Sequence, residues 1–487
     1  MSEASPLETT AAERPATLSV WDAVSVIVGI VVGAAIFKTP PIVFGAAGSV
    51  SAGLISWALG AGLCLVGALC YAELATMHKR GGGDYVFLTK AFGPLIGFLF
   101  GWAQLTGVFS GSIGSMAYVF ADHAQDVCTQ LWGSAPQNTV LLAAVPVLIL
   151  TAIHSAGVKP GKAIQNLLTI AKLLGLTLLV VVGLGLGSHG FETPAPAATS
   201  DGSASSTNFG LAMILVLYAY GGWNDAVFVA AEVRDRQRNI PRALAGGLLL
   251  IAGLYLLINL AYLRGLGFAA LTGSSVPAVD VIRQSSALPE SVRSAGQVLI
   301  GLLVMVSSLG AVHGLLFTGS RLYAALGEDH RLFRILGRWH PQLGTPVWAL
   351  LAQGLLGVAL IVVVGTESGR STIDVILKST GIRAVPWDRF NGGFATLVAA
   401  TAPVFWTFFL LTGVSLFLFR FRDPETERPF RVPGYPVVPA LFILMSAWML
   451  YRSVLYAESV VLLALVPLAC GVPLYFLSQR LERDDSK

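Results

Sequence analysis

Twelve apolar stretches, each long enough to cross a lipid bilayer as a helix, decide what this chain can become. A hydrocarbon core of roughly 30 Å takes about 20 helical residues to span. Such stretches lie at about 19–44, 51–77, 91–122, 138–156, 163–187, 208–233, 243–268, 295–326, 346–365, 394–419, 437–456 and 459–478. Only 12% of the 487 residues are charged, about half the fraction of a soluble domain. Polar groups are too few to coat a globule of this size, so lipid must cover its outside. No alternating strand pattern competes, which excludes a membrane β-barrel. The expectation is an all-α membrane protein with twelve spans.

Basic residues fix the orientation. Alternate connecting segments, counted from the N-terminal tail, hold 21 Lys and Arg on one side and nine on the other. The positive-inside rule puts both termini in the cytoplasm, and an even number of spans agrees. Residues 1–18 lack an apolar core and read as a cytoplasmic tail, not a signal peptide. Cys64, Cys70 and Cys470 fall within spans as small packing groups. Cys128 falls in a predicted outer loop, where it could bridge to a partner protein or stay an unpaired loop thiol. Nothing else points to a partner subunit or an oligomer.

Two spans carry a flaw. The first, SVWDAVSVIVGIVVGAAIFKTPPIVFGAAG, is interrupted by Gly29 and Gly33. The sixth, LYAYGGWNDAVFVAAE, is interrupted by Gly221 and Gly222 and followed by Asn224 and Asp225. Glycines can merely let helices pack closely. Two interrupted spans at matched positions instead point to an inverted-repeat transporter. The positions are five spans apart, an odd number, so the second copy enters the membrane upside down. The implied organisation is a tail at 1–18, a first five-helix repeat at 19–187 and an outer loop at 188–207. A second repeat follows at 208–419, with an outer loop at about 366–393. Two further spans occupy 420–478, and a cytoplasmic tail 479–487.

An unwound helix frees backbone N–H and C=O groups that are costly to leave unpaired in lipid. A zwitterion satisfies both kinds. The N-terminal end of one half-helix offers N–H groups to a carboxylate, and the carbonyl end of the other receives an ammonium. Glycine or small residues are needed because a side chain would block approach to the backbone.

Five stretches together resemble the amino acid–polyamine–organocation superfamily, nearest its L-type amino acid transporter branch. They are VGIVVGAAIFKTP, YAELATMHKRGGGDYVFLTKAFGPLIGFLFGW, YAYGGWNDAVFVAAEVRDRQRNIPRAL, GSRLYAALGEDHRLFRILGRWHPQLGTP and ERPFRVPGYPVVPAL. The likeness runs over roughly residues 18 to 478. It implies the LeuT-type fold, ten helices in two inverted five-helix repeats plus two C-terminal helices. By similarity, a substrate carboxylate should meet the amides of Gly33, Ala34 and Ala35, and its amine the carbonyls near Val31, Tyr218 and Gly221. Tyr218 takes the place of the family's aromatic gate, and Asn224 matches a polar residue beside the pocket. The family usually has Gly-Ser-Gly where this chain has Gly33-Ala34-Ala35, so a hydroxyl and a flexible glycine are missing.

Charges inside a membrane are expensive and therefore informative. Lys172 sits in the fifth span, at the position of a family lysine whose ammonium stands where sodium-driven relatives bind sodium. The resemblance implies sodium-independent transport, with Lys172 bridging the first and eighth helices near Ser307. The alternative is that Lys172 snorkels to the membrane surface. His313, within the eighth span, could titrate and couple a proton, or be a neutral hydrogen-bonded imidazole at a helix interface. Lys38 and Asp225 each follow a break, and could close an outer gate as an ion pair or face water separately. Glu232 precedes the loop on the sixth helix and joins Glu73 as a candidate for an inner gate. Arg234, Arg236, Arg238 and Arg242 read mainly as orientation signals.

Enzymatic signatures are missing. The seven histidines show no metal-ligand spacing, GVKPGKA lacks the spacing of a phosphate loop, and GGGD at 81–84 reads as an inner turn. No basic-aromatic cluster suggests nucleic acid, and no cofactor is implied. The reading is a sodium-independent transporter of α-amino acids, neutral ones, working by alternating access. The alternatives are a polyamine or organic-cation carrier and a membrane receptor that binds amino acids without moving them.

Overall fold

A computed structural model describes residues 16–78, 80–192, 208–285, 288–379, 381, 384, 385, 387 and 393–485. Most of the expected N-terminal tail, most of the 188–207 loop, part of the 366–393 loop and the chain's last two residues lie outside this set. The described residues form helices, with a single parallel backbone bridge between Leu18 and Val233.

Among the described residues ten helices are long and apolar enough to cross a membrane, as expected of an all-α membrane protein, against the twelve spans expected. Two are composite. The first comprises α1 (Val20–Val31) and α2 (Ala35–Lys38), continued by α3 (Pro40–Ala47). The sixth expected span comprises α10 (Phe209–Ala219) and a 3-10 segment, Trp223–Glu232. Between them come α4 (Val50–Met77), α5 (Asp84–Phe92), α6 (Pro94–Ala103), α7 (Phe109–Trp132), α8 (Thr139–Ser155) and α9 (Val158–Leu186). A π turn at Gln104–Val108 joins α6 to α7. Then follow α11 (Arg236–Thr272), α12 (Pro277–Gln284), α13 (Glu290–Asp329), α14 (Val347–Gly365), α15 (Glu367–Ser379), α16 (Gly393–Arg422), α17 (Val437–Ala457) and α18 (Leu462–Asp485).

Several expected boundaries change. Helix α13 overruns the expected 295–326 at both ends, because nothing in its sequence breaks it before His330. Helix α8 is 17 residues long, shorter than the full spans. The last two expected spans are α17 and α18, separated only by the 3-10 turn Glu458–Val461. The 366–393 loop is not wholly irregular, since α15 fills its first half.

Local chemistry starts and stops the helices. Ser19 caps α1 and pairs reciprocally with Asp22 in a capping box, which satisfies two of the orphan amides. Lys162 on α9 then reaches Asp22 at 2.6 Å. Asn138 and Asn208 cap α8 and α10 through their side-chain oxygens.

Burial sorts the bundle into inner and outer helices. Within the most apolar window, 78% of the first span and 72% of the sixth are buried, against 22% for α17–α18. The two broken spans, with the α6–α7 span also at 72%, are therefore the most buried and pack against α11 and α13, and the C-terminal pair is peripheral. The four cysteines are unpaired within the chain.

Candidate functional site

Both breaks are real and they touch. Helix α1 stops at Val31, and α2 resumes at Ala35. The amide of Gly33 turns back to the carbonyl of Val31 at 2.8 Å. Helix α10 stops at Ala219, where the amide of Gly221 meets the carbonyl of Tyr218 at 3.0 Å. Gly222, not Gly221, carries the special conformation. Its φ is +98°, and a Cβ there would lie 2.6 Å from Cγ2 of Ile30 on α1. Gly222→Ala combines a left-handed penalty with overpacking, so a loss of about 2–4 kcal/mol is expected. A Gly221→Ala control, which meets the carbonyls of Tyr218 at 3.2 Å and Leu217 at 3.7 Å, should lose less. Thermal unfolding of the two purified variants compares them.

One side chain that the sequence did not single out ties the breaks together. The hydroxyl of Tyr255 on α11 donates between the carbonyls of Val31, 3.0 Å away, and Ala219, 3.2 Å away. These are the last carbonyls of α1 and α10. Tyr255 is fully buried and rests edge-on against Trp57. The only signal for it in sequence is that a mid-span tyrosine needs a partner for its hydroxyl. The carbonyl of Val31 thus has two donors, Gly33 and Tyr255, and its lone pairs are filled. Of the three carbonyls expected to face an amine, that of Tyr218 already accepts from the amides of Gly221 and, in a shared bond, Tyr220, which leaves that of Gly221 as the open one among the described contacts. Ala34 and Ala35 are buried beside the gap, and the amides opening α2 point along the axis into it.

Lys172 is fully buried and does not snorkel. Its ammonium donates to the carbonyls of Gly29 at 2.9 Å, Val32 at 2.8 Å and Ser307 at 3.2 Å. An ammonium has three protons, and each finds an oxygen. The bridge from α9 to α1 and α13 uses the backbone of Ser307; its hydroxyl has no partner. Gly310 leaves the room, since a Cβ there would come within 2.9 Å of Nζ.

His313 is equally buried. Its Nδ1 lies 2.8 Å from Oε1 of Gln165, whose amide donates to the carbonyl of Ser25 at 3.1 Å. That fixes Nδ1 as the donor. Nε2 has no partner, and the ring of His154 lies 4.0 Å away, tilted by 43°, with its own Nε2 on the carbonyl of His313. A second proton on His313 would find no acceptor, so the geometry is that of a neutral interface imidazole. The pH profile of uptake is expected to be unchanged in His313→Asn, and a shifted profile would return the proton role to this residue.

The amino acid permease family matches residues 18–469 of the chain. The chain belongs to the amino acid permease family. It is 28% identical over 441 residues to b(0,+)-type amino acid transporter 1 of Homo sapiens, covering 90% of this chain and 82% of that one. It is 28% identical over 466 residues to large neutral amino acids transporter small subunit 2 of Rattus norvegicus, covering 93% and 79%. The mouse counterpart of the second is 29% identical over the same length.

The permease is sealed at one end and indented at the other. At the sealed end Glu232 meets Arg321 through Nε at 3.0 Å and Nη2 at 3.4 Å. Glu73 takes Arg420 at 2.6 Å and the amide of Val432 at 2.6 Å. Arg80 takes Asp329 at 2.6 Å. The chain entering α1 is stapled to the end of the 3-10 segment, with Leu18 donating to the carbonyl of Glu232 and accepting from the amide of Arg234, both at 2.9 Å. Nearby, burial and then the fields of Lys90 and Arg236 push the imidazole of His78 down to about 3, so it stays neutral. At the opposite end a cavity of about 190 Å³ is lined by Tyr118, Asp122, Arg370, Trp387 and Thr396 among others.

Lys38 and Asp225 are not brought together. Lys38 lies 5.7 Å over the ring of Phe394, which also meets Tyr218 at 6.2 Å. Asp225 lies beyond the other break, bonded to Asn224 at 3.1 Å. The expected outer ion pair fails for a simple reason. The two spans run in opposite directions, so the residues following each break lie toward opposite ends of the bundle.

Proposed function

We propose that this permease is a secondary transporter that carries α-amino acids, neutral ones, by alternating access and without sodium. The observation that carries the reading is the contact between two interrupted spans, braced by Tyr255 and by an ammonium held on three carbonyls. The substrate carboxylate sits at the amides of Ala34, Ala35 and, once its turn to Val31 opens, Gly33. The ammonium meets the carbonyls of Tyr218 and Gly221, with Tyr218 as the aromatic lid and Asn224 at the pocket wall. Lys172 takes the place of a fixed sodium ion, which makes a mobile one redundant and electrostatically disfavoured.

The positive-inside count puts the sealed end, and both termini, in the cytoplasm of a cell whose plasma membrane holds the protein. Glu232 and Arg321 then form the inner gate, and the cavity near Phe394 is the outer approach. Moving the first and sixth spans against the rest of the bundle exchanges the two accesses.

The test is a radiolabelled amino acid uptake screen in proteoliposomes, with and without internal amino acid and with choline in place of sodium. Saturable uptake of several neutral amino acids, equal in sodium and choline, is expected. Uptake that vanishes in choline removes the role given to Lys172. Binding without flux turns the reading into a receptor, and putrescine outrunning every amino acid turns it into a polyamine carrier.

A further inference from the structure

Six acidic side chains are buried among the described residues: Asp22, Glu73, Asp84, Asp225, Glu232 and Asp280. Four have a cation in contact. Lys162 meets Asp22 at 2.6 Å, Arg420 meets Glu73 at 2.6 Å, Arg321 meets Glu232 at 3.0 Å and Arg283 meets Asp280 at 2.6 Å. Asp84 and Asp225 have none.

The surroundings of these two are short of donors. Oδ1 of Asp84 accepts from Tyr71 at 2.5 Å and Thr412 at 2.7 Å, and its Oδ2 accepts nothing. Asp225 accepts from the amide nitrogen of Asn224 at 3.1 Å, while the amide oxygen of Asn224 is unpartnered. The hydroxyl of Tyr323 on α13 is buried without a partner as well. The segment that carries Asp225 also packs on the turn that carries Asp84, since a Cβ at Gly83 would come within 2.7 Å of Phe228 and 2.8 Å of Val227. Trp223, two residues before Asp225, packs on Tyr71 with ring centroids 5.1 Å apart.

Other charged or titratable groups on the helices packed against the 3-10 segment are committed elsewhere, Tyr323 excepted. On α13, Arg321 belongs to Glu232. On α11, Tyr255 belongs to the carbonyls of the breaks. On α4, Tyr71 belongs to Asp84 and Cys64 lies against Trp223. On α1, Asp22 belongs to Lys162 at the far end of the helix. Two buried carboxylates with no cation in contact are costly to keep ionised together. Neither aspartate lines the two cavities described in the bundle, the second of which, about 340 Å³, lies between Leu59, Met213 and Trp448.

We propose that the Asp84–Asp225 pair is the coupling-proton site of this permease, a reading that rests on the proposed transport function. A proton from the outer medium forms one carboxylic O–H as substrate is taken. The same O–H gives its proton to the inner medium when the sealed end opens and water reaches the pair. No other bond is made or broken. Asp225 rides on the segment that ends at the Glu232–Arg321 gate, so opening that gate exposes the site and releases proton and substrate together.

Proteoliposomes loaded with a pH-sensitive dye test this, using a radiolabelled mixture of the protein amino acids as probe. An inward gradient of two pH units should raise wild-type uptake about tenfold, an ordinary coupling strength, with acidification of the lumen on adding amino acids. Asp84→Asn and Asp225→Asn keep an oxygen acceptor in place. Both should lose the gradient response and the acidification while amino acid counterflow stays within about twofold of wild type. Wild-type counterflow without acidification overturns the proposal, as does an unchanged gradient response in both variants. Selective loss of lysine and arginine uptake, with no proton movement, also overturns it in favour of a pocket for a basic side chain. Should a variant misfold, wild-type protein treated with dicyclohexylcarbodiimide, which reacts with protonated carboxyls, supplies the answer. An adduct on Asp84 or Asp225 but not on Glu73 or Glu232 supports the site, and none on either aspartate overturns it. Wild-type protein with no counterflow at all refutes the transport reading instead.

Discussion

Lys172→Ala is expected to abolish amino acid uptake and to destabilise the purified protein by several kcal/mol. The ammonium donates to the carbonyls of Gly29, Val32 and Ser307. Each carbonyl left bare in a dry interior costs about 1–3 kcal/mol, and the losses will not be fully additive. Two of the three lie on α1 at its break, so the penalty falls where the substrate is held. A misplacement costing about 2.7 kcal/mol in the rate-limiting step already slows transport roughly a hundredfold. Lys172→Arg should not rescue, because Gly310 leaves space for a compact ammonium and a Cβ at that glycine would sit 2.9 Å from Nζ. The readouts are initial uptake rate and thermal unfolding in detergent. A Lys172→Ala protein that transports at wild-type rate would sink both the bracing role and the sodium argument.

The parts of this structure that were legible in sequence are those set by composition along the chain. Long apolar runs fix the spans, and a lysine inside one must have a reason. The glycine pair announced a break, yet it could not say which glycine matters. That depends on Ile30 pressing against Gly222 from another helix, a fact of packing and not of propensity. Asp84 looked like a turn residue because three glycines precede it. In the fold it opens α5 and turns its carboxylate into the core between Tyr71 and Thr412. Arg321 lies near a predicted helix end, where an arginine reads as an orientation charge. Helix α13 runs on to Asp329, which leaves Arg321 well inside it and 1% exposed. The Lys38–Asp225 pairing came from matching positions after each break without following the direction of the chain through the inverted copy.

Arg321→Met alone should cost about 3–5 kcal/mol, because it strands the charge of Glu232 in a site where both side chains are nearly inaccessible. The guanidinium is committed on every side: to Glu232, to the carbonyl of Phe317 at 3.0 Å and to the ring of Phe317 at 3.9 Å. Glu232→Gln alone should cost less, since an amide still accepts one hydrogen bond, though it leaves the arginine charge unmatched. The double variant Glu232→Leu, Arg321→Met removes both charges, and buried pairs replaced by apolar groups are often neutral in stability. It should therefore fall within about 1 kcal/mol of wild type. Its transport should still fail or slow severely, because an apolar seal gains nothing from water when the end opens, whereas separated ions do. Stability and uptake thus part company in the double variant. Equal losses of stability in single and double variants would show that the pair is not one unit. A double variant with wild-type uptake would show that the seal is not a gate.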